Sequence, residues 1–182
     1  MKTESTVMYV LRLALTLLAI TAFVAAALAG VNSITAPAIA ELNAQKTQEA
    51  VQAVLPGGGD PIEVAAGSGT VSEAYKGENG YAVKVAPVGF DNAITMMVGI
   101  GNDGTVLGIS VISQSETAGL GAVCAATTSA GEAFRAQFVG TSGTVTVSKD
   151  GGQIDAITSA TITSRAVCAG VTEALAYAAN LG

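Results

Sequence analysis

The 182-residue chain contains no histidine and no tryptophan, and it has only two cysteines. Without histidine there can be no Ser-His-Asp triad, no Cys-His dyad, no imidazole-ligated metal and no haem attached through C-x-x-C-H. Two cysteines are too few for a four-thiolate zinc site or a Cys-ligated iron–sulfur cluster. We therefore expect neither catalytic nor metal-binding side chains, and any demanding chemistry would need a cofactor.

Charged residues are also scarce, at 12% of the chain against roughly 25% in an average soluble domain. Eight lysines and arginines face fourteen aspartates and glutamates, for a net charge of -6. A nucleic-acid partner needs a basic face on the protein. The composition therefore argues against nucleic-acid binding.

One segment near the N-terminus concentrates the apolar residues. No charged residue occurs from Leu13 to Ala40, and residues 13–31 are almost entirely apolar. About 20 such residues span a bilayer, whereas a helix of a soluble core keeps a polar face. The sequence therefore predicts one transmembrane helix over about residues 7–31, with Arg12 near its start able to extend its guanidinium to the interface.

The orientation of this helix follows from the placement of the cations. Lys2 and Arg12 precede its apolar centre, and the next cation is Lys46. The positive-inside rule then places the N-terminus in the cytoplasm and the large C-terminal part on the extracytoplasmic side of the cell membrane. A cleaved signal peptide is the alternative, because residues 27–29 (Ala-Leu-Ala) resemble a cleavage site. The apolar run is longer than the 7–15 residues of a usual signal core, which favours an uncleaved anchor.

The rest of the chain divides at two breaks. Residues 32–37 (Asn-Ser-Ile-Thr-Ala-Pro) predict a break after the membrane helix, and residues 38–55 predict a separate amphipathic helix. The Pro- and Gly-rich residues 56–61 then predict a stop. We therefore expect three parts: a cytoplasmic N-terminus and membrane helix at 1–31, a membrane-proximal helix and linker at 32–59, and a folded domain at 60–182.

Alternating patterns dominate the folded domain. They predict strands at 70–75, 80–88, 93–100, 105–113 and 143–147, a hairpin turn at 102–104, a short helix at 131–138 and a C-terminal helix at 163–181. Strands followed by helices indicate an α+β fold with a mostly antiparallel sheet.

Hydroxyl side chains cluster just before the C-terminal helix, at Thr158, Ser159, Thr161, Thr163 and Ser164. A helix N-terminus offers unpaired N–H groups and a partial positive charge, which suit a phosphate. Arg165 would add a charge-assisted contact to such an anion. The alternative is that these hydroxyls only cap the helix, which is an ordinary role for serine and threonine.

The segment from Thr158 to Thr161 (Thr-Ser-Ala-Thr) resembles the S/T-G-A-T signature of proteins that carry covalently bound FMN. The wider phrase DAITSATITS is similar to that of the G subunit of the Rnf electron-transport complex and of the C subunit of the sodium-pumping NADH:quinone oxidoreductase. The resemblance implies that a flavin transferase, with FAD as donor, joins the FMN phosphate to the Thr161 hydroxyl. Ser159 stands where the signature most often has glycine, and Thr163 is the second choice of acceptor.

A second stretch supports the first. Residues 115–121 (Ser-Glu-Thr-Ala-Gly-Leu-Gly) resemble the E-T-P-G-L-G loop of the same family, with Ala118 in place of proline. The resemblance implies that this loop lies against the flavin, and its glycines allow close approach of the backbone to a flat ring. The expected flavin surround is therefore Glu116, Thr117, Gly119, Leu120 and Gly121 together with Thr158, Ser159, Ala160 and Ser164.

The resemblance implies a membrane-anchored flavoprotein subunit that relays electrons within an ion-translocating ferredoxin:NAD oxidoreductase and is not catalytic alone. Its expected partners are the other subunits of that complex, the flavin transferase and membrane lipid. Alternatives with the same cofactor are a subunit of the quinone reductase and a stand-alone flavinylated shuttle. Alternatives of another class are a tethered ligand-binding domain and a pilin-like surface protein, although the glutamate that prepilin processing needs early in the apolar helix is absent after Met8.

Three residues keep two interpretations each. Asp155 either contacts the flavin transferase or accepts a backbone hydrogen bond. Cys124 and Cys168 form a disulfide, which an exported location permits, or are buried small apolar residues, which is common for cysteine. We favour burial, and no partner that would activate a thiol is evident near them.

Overall fold

The computed structural model describes residues 3–64 and 69–181, so that Lys2, on which part of the orientation argument depends, lies outside the described residues. Three α-helices and five strands follow along the described part of the chain. They are α1 (Thr3–Val54), β1 (Asp60–Ile62), β2 (Val71–Gly77), β3 (Gly80–Val85), β4 (Thr95–Gly101), β5 (Val106–Ser113), α2 (Ser129–Ala136) and α3 (Thr161–Ala179). The α+β prediction is confirmed.

Helix α1 is continuous, so the predicted break at 32–37 is wrong. Pro37 lies inside the helix, although proline lacks the N–H for the helical ladder and its ring crowds the carbonyl four residues earlier. The Ser33 hydroxyl donates to the Gly30 carbonyl over 2.8 Å, and the Thr35 hydroxyl donates to the Val31 carbonyl over 3.0 Å. Hydroxyls that can stabilise a turn therefore bond back to helical carbonyls instead.

The apolar part of α1 is fully exposed. It is the one helix of the described chain that is long and apolar enough to cross a membrane, with a mean hydropathy of 2.3 over its most apolar stretch. This fits a single-pass membrane protein. Contacts within the chain separate a unit that ends at Gln45 from a second unit that begins at Lys46. The end of α1 therefore belongs to the folded unit, whereas the predicted domain starts at residue 60.

The five strands form one antiparallel sheet in the order β1-β2-β3-β4-β5. The predicted hairpin joins β4 to β5, where the Asp103 carboxylate accepts the N–H and the hydroxyl of Thr105 over 3.0 and 2.8 Å. Strand β1 was not predicted. Residues 143–147 do not form a strand; Val147 makes only an isolated parallel bridge to Ile154.

Both faces of the sheet are covered within the folded unit. Strand β4 alternates: Met96 and Val98 belong to the main core, where α3 lies, while Met97 packs with Val51 and Leu55 at the end of α1. All five of these side chains are buried. The period of two that identifies a strand thus places one set of side chains under each helix.

Helix α2 supports the loop that precedes it. The Thr128 side chain accepts the Gly131 N–H and so caps the helix. Phe134 and Phe138 meet edge to face with ring centroids 5.4 Å apart. The Arg135 guanidinium donates to the Cys124 and Ala126 carbonyls, both over 2.9 Å. These bonds fix the 3₁₀ turn Gly121–Ala125, which follows directly on the second sequence motif.

Both cysteines are buried free thiols. Burial raises the pKa of Cys124 to about 11, and the nearby Glu116 charge adds to the effect. Burial also raises the pKa of Cys168 to about 11, with a contribution from Asp150. The interpretation favoured from the sequence, two buried small residues, is the one the structure has.

Candidate functional site

The two sequence motifs line one cavity. Loop 115–121, the start of α3 and the loop around Phe90 enclose about 310 Å³. The lining residues are Phe90, Glu116, Thr117, Leu120, Gly121, Ser159, Ala160, Thr161, Ile162 and Thr163. Six of the nine expected flavin-surround residues and the expected acceptor Thr161 are among them, whereas Thr158, Gly119 and Ser164 are not.

Helix α3 begins at Thr161, two residues earlier than predicted. Its N-cap residue is Ala160, whose side chain accepts no hydrogen bond, and the first backbone bond of the helix runs from the Ser164 N–H to the Ala160 carbonyl over 3.0 Å. The N–H groups of residues 161–163 therefore have no partner within the helix, and they carry its partial positive charge. This geometry favours the anion site over the capping alternative.

The Ser164 hydroxyl is used inside the protein. It donates to the Ala160 carbonyl and accepts the Ile157 N–H, both over 2.9 Å. Ser164 is fully buried. It therefore shapes the turn that enters α3, and it does not face the cavity.

Ser159 adopts the left-handed conformation, with φ of 61°, and no other non-glycine residue in the described part of the chain has a positive φ. This backbone conformation costs a residue other than glycine roughly 1–2 kcal/mol. It gives a physical reason why the signature has glycine at this position. The chain keeps the signature's turn with a strained serine.

Glu116 ties the three walls of the cavity together. Its Oε1 accepts the Phe90 N–H over 2.9 Å and the Asp91 N–H over 3.1 Å, and its Oε2 accepts the Thr163 hydroxyl. Burial by itself raises the pKa of Glu116, but hydrogen bonds from Thr163 and from backbone N–H groups of 90–92 outweigh it, so the pKa is lowered. A charged carboxylate thus joins loop 89–92 to α3 from its place on loop 115–121.

Gly121 is needed for this arrangement. A Cβ at residue 121 would lie 2.5 Å from Glu116 Oε2 and 2.5 Å from Thr163 Oγ1. Gly119, on the same loop, has φ of 75°. The two glycines of the motif therefore have different roles: Gly119 permits the turn, and Gly121 permits close packing.

The two candidate acceptor threonines lie in different surroundings. Thr163 is 1% exposed, and its hydroxyl donates to Glu116. Thr161 is half-buried and lines the cavity, and its Oγ1 accepts a hydrogen bond from Lys149 Nζ over 3.3 Å. Of the two hydroxyls, that of Thr161 is the one open to a ligand.

The cation that contacts Thr161 is not the expected Arg165. Arg165 donates two bonds of 2.7 Å to the Asp150 carboxylate, so its guanidinium is engaged by an ion pair. The cation in contact with Thr161 is Lys149, which lies outside both sequence motifs. Asp155 is exposed, and its backbone N–H donates to the Gln137 side chain over 2.7 Å.

These residues fit FMN. The start of α3 and the Thr161 hydroxyl suit a phosphate ester. Exposed apolar side chains at the cavity, Phe90, Leu120 and Ile162, are 67%, 41% and 51% accessible. Apolar side chains at the rim with a few fixed polar groups inside are typical of a site for a flat organic ring.

Comparison with known proteins agrees with this geometry. A family model described as FMN-binding domain matches residues 89–176, a range that contains every residue lining the cavity. The chain is 35% identical to the G subunit of the Na(+)-translocating ferredoxin:NAD(+) oxidoreductase complex of Acetobacterium woodii, over 94% of this chain and 93% of that protein.

Two further relatives are similar over most of their length. The G subunit of an ion-translocating oxidoreductase complex of Methanosarcina acetivorans is 34% identical over 89% of this chain and 90% of its own. The G subunit of the proton-translocating ferredoxin:NAD(+) oxidoreductase complex of Clostridium ljungdahlii is 35% identical over 87% and 86%. The similarity thus covers most of this chain and most of each relative.

Proposed function

Because the chain belongs to the family of G subunits of ion-translocating oxidoreductase complexes, we propose that it is the membrane-anchored electron-relay subunit of such a complex. It carries FMN, joined through its phosphate to Thr161. The observation that carries this proposal is that two motifs distant in sequence line one cavity, with an uncapped helix N-terminus at Thr161.

The covalent bond forms by transfer from FAD. Thr161 Oγ attacks the phosphorus on the FMN side of the pyrophosphate, an Oγ–P bond forms and the bridging P–O bond breaks. AMP leaves, and the hydroxyl proton is lost to the flavin transferase or to water. No electron is transferred, so the step needs no oxidant or reductant. The N–H groups of residues 161–163 support the charge on the phosphate during this transfer.

The other cavity residues bind and orient. Glu116 keeps its charge and its three hydrogen bonds, so it holds the walls in place rather than exchanging protons. Phe90, Leu120 and Ile162 line the cavity and would supply apolar contacts to a bound ring. When bound, the isoalloxazine ring supplies the redox chemistry, which the side chains of this chain lack.

The proposed surroundings follow from the anchor and from the relatives. Helix α1 crosses the cell membrane with its N-terminus in the cytoplasm, because Arg12 precedes its apolar stretch and no cation follows until Lys46. The folded unit then lies on the extracytoplasmic side, where a covalent tether prevents loss of the cofactor. Its partners are the other subunits of a complex that moves electrons between ferredoxin and NAD, the flavin transferase, and membrane lipid around α1.

Flavin fluorescence after denaturation tests the proposal. The full chain is co-expressed with a flavin transferase and separated on a denaturing gel, where only covalently bound flavin stays with the protein. We expect a fluorescent band that Thr161→Ala abolishes and that Thr158→Ala retains; Thr158 is the matched control because it is exposed and does not line the cavity. A band that survives Thr161→Ala would refute the attachment site, and the absence of any band from the unchanged chain would refute the function.

A further inference from the structure

Lys149 contacts Thr161 although it belongs to neither sequence motif. Lys149 Nζ donates to Thr161 Oγ1 over 3.3 Å, so the ammonium lies beside the oxygen that becomes the ester oxygen. We propose that Lys149 is a positioning residue whose charge holds the phosphoryl group on Thr161. This rests on the proposed function, because it assumes that Thr161 is the acceptor.

A rigid turn presents Lys149 to the site. The Ser148 N–H donates to the Ile154 carbonyl over 2.8 Å, and the Asp150 N–H donates to the Val147 carbonyl over 2.9 Å. The turn closes at Gly151, which has φ of 84°. The backbone on both sides of Lys149 is therefore fixed, and the start of α3 needs no rearrangement to receive its side chain.

The charge of Lys149 is available for an anion because the neighbouring acid, Asp150, forms its ion pair with Arg165. Asp150 accepts both of its bonds from the Arg165 guanidinium, so one acid and one base neutralise each other next to Lys149. A phosphodiester on Thr161 carries one negative charge. The Lys149 ammonium and the N–H groups at the start of α3 would then face that charge from two sides.

This arrangement gives Lys149 two effects on the same group. An ammonium has no lone pair to accept the hydroxyl proton, so Lys149 does not act as a base; it stabilises charge on the phosphorus oxygens while the Oγ–P bond forms. After transfer, the same charge holds the phosphodiester against α3. A charge-assisted hydrogen bond at a partly exposed position corresponds to about a tenfold change in rate.

The test compares Lys149→Met, which keeps the length of the side chain, with Lys149→Arg, which keeps the charge. Lys76→Met is the matched control, since Lys76 is an exposed lysine of β2 and its ammonium lies over the Tyr81 ring. The full chain, purified without flavin, is mixed with transferase and FAD, and the initial rate of flavin incorporation is measured. We expect Lys149→Met to be about tenfold slower, Lys149→Arg to recover most of the rate, and Lys76→Met to match the unchanged chain.

A second readout separates charge from structure. The melting temperature of each variant is measured before and after flavin loading. Without flavin, we expect Lys149→Met to have the same melting temperature as the unchanged chain. On flavin loading, the melting temperature of Lys149→Met should rise less than that of the unchanged chain, and high salt should reduce the difference between these two rises. The inference would be overturned if Lys149→Met showed the loading rate and the rise in melting temperature of the unchanged chain. It would also be overturned if Lys149→Met and Lys149→Arg lost loading rate equally. Either result leaves the Thr161-dependent band intact, so failure of Lys149 is distinct from failure of the proposed function.

Discussion

Replacing Gly121 by alanine is the most direct perturbation of the contact that joins the cavity walls. A Cβ at residue 121 would lie 2.5 Å from Glu116 Oε2, 2.5 Å from Thr163 Oγ1 and 2.9 Å from Glu116 Cβ. Real Cβ contacts are essentially never shorter than 3.0 Å. Glu116 cannot simply swing away, because its Oε1 accepts two backbone N–H groups.

Two contributions lower the free energy of unfolding of Gly121→Ala. They do not add fully, because moving the Thr163 hydroxyl away relieves part of the overpacking. Overpacking costs about 1–3 kcal/mol, and a displaced Thr163 hydroxyl leaves a buried carboxylate without one donor, which costs about 1.5–3 kcal/mol. We expect a loss of roughly 3 kcal/mol, or a melting temperature lower by about 10 °C. Because loop 115–121 and α3 would separate, flavin incorporation should fall as well.

The control for this substitution is Gly108→Ala in β5. A Cβ there meets nothing within 4 Å, and the residue has no positive φ, so its stability should stay within about 0.5 kcal/mol of the unchanged chain. Melting of the full chain without flavin, followed by circular dichroism, gives both values. If Gly121→Ala and Gly108→Ala have the same melting temperature, the close packing of Gly121 against Glu116 does not hold the cavity walls together.

Three further outcomes follow from the same surroundings. Ser159→Gly should raise stability by about 0.5 kcal/mol, since relief of left-handed strain exceeds the added freedom of the unfolded chain; an unchanged or lower melting temperature would argue against strain. Hydrogen bonds lower the pKa of Glu116 below its ordinary 4.5. The charged Glu116 should therefore stabilise the fold fully above about pH 4.5, and this contribution should be lost as the pH falls through the lowered pKa. In urea unfolding across this range, the free energy of unfolding of Glu116→Gln should depend less on pH than that of the unchanged chain. The thiols of Cys124 and Cys168, with pKa values of about 11, should resist iodoacetamide at pH 8 in the folded chain and react in denaturant; rapid alkylation of the folded chain would contradict their burial.

Local patterns were enough to predict most of the sheet. The turn at 102–104 and the alternation on either side of it predicted the β4–β5 hairpin, because both signals lie within the segment that forms it. Helix α3 was likewise predictable from its apolar stripe. Residues 143–147 show the same alternation, but Val147 bridges only Ile154, since an alternating segment becomes a strand only where a partner edge is open to it.

The continuity of α1 and the arrangement of the site required more than local patterns. Pro37 is ordinarily a sign of a break, yet α1 continues through it, and the hydroxyls of Ser33 and Thr35 bond back to helical carbonyls. The motifs predicted most of the residues that line the cavity, but not that Glu116 would hold its walls together or that Lys149 would reach Thr161. Glu116 and Thr163 are 47 residues apart, and Lys149 and Thr161 are 12 apart, so neither contact follows from a local pattern. For the contact of Lys149 with Thr161, the one signal in the sequence was a lysine in the turn just before the phosphate signature.

The central claim is that the Thr161 hydroxyl, and no other, carries the flavin phosphate. Trypsin cleaves after Lys149 and Arg165, so a single peptide, residues 150–165, contains every candidate hydroxyl: those of Thr158, Ser159, Thr161, Thr163 and Ser164. Tandem mass spectrometry of this peptide from the chain co-expressed with a flavin transferase locates the modification. We predict an added mass equal to FMN less one water on Thr161 alone. The same mass on Thr163 or on any other hydroxyl of the peptide would contradict the account.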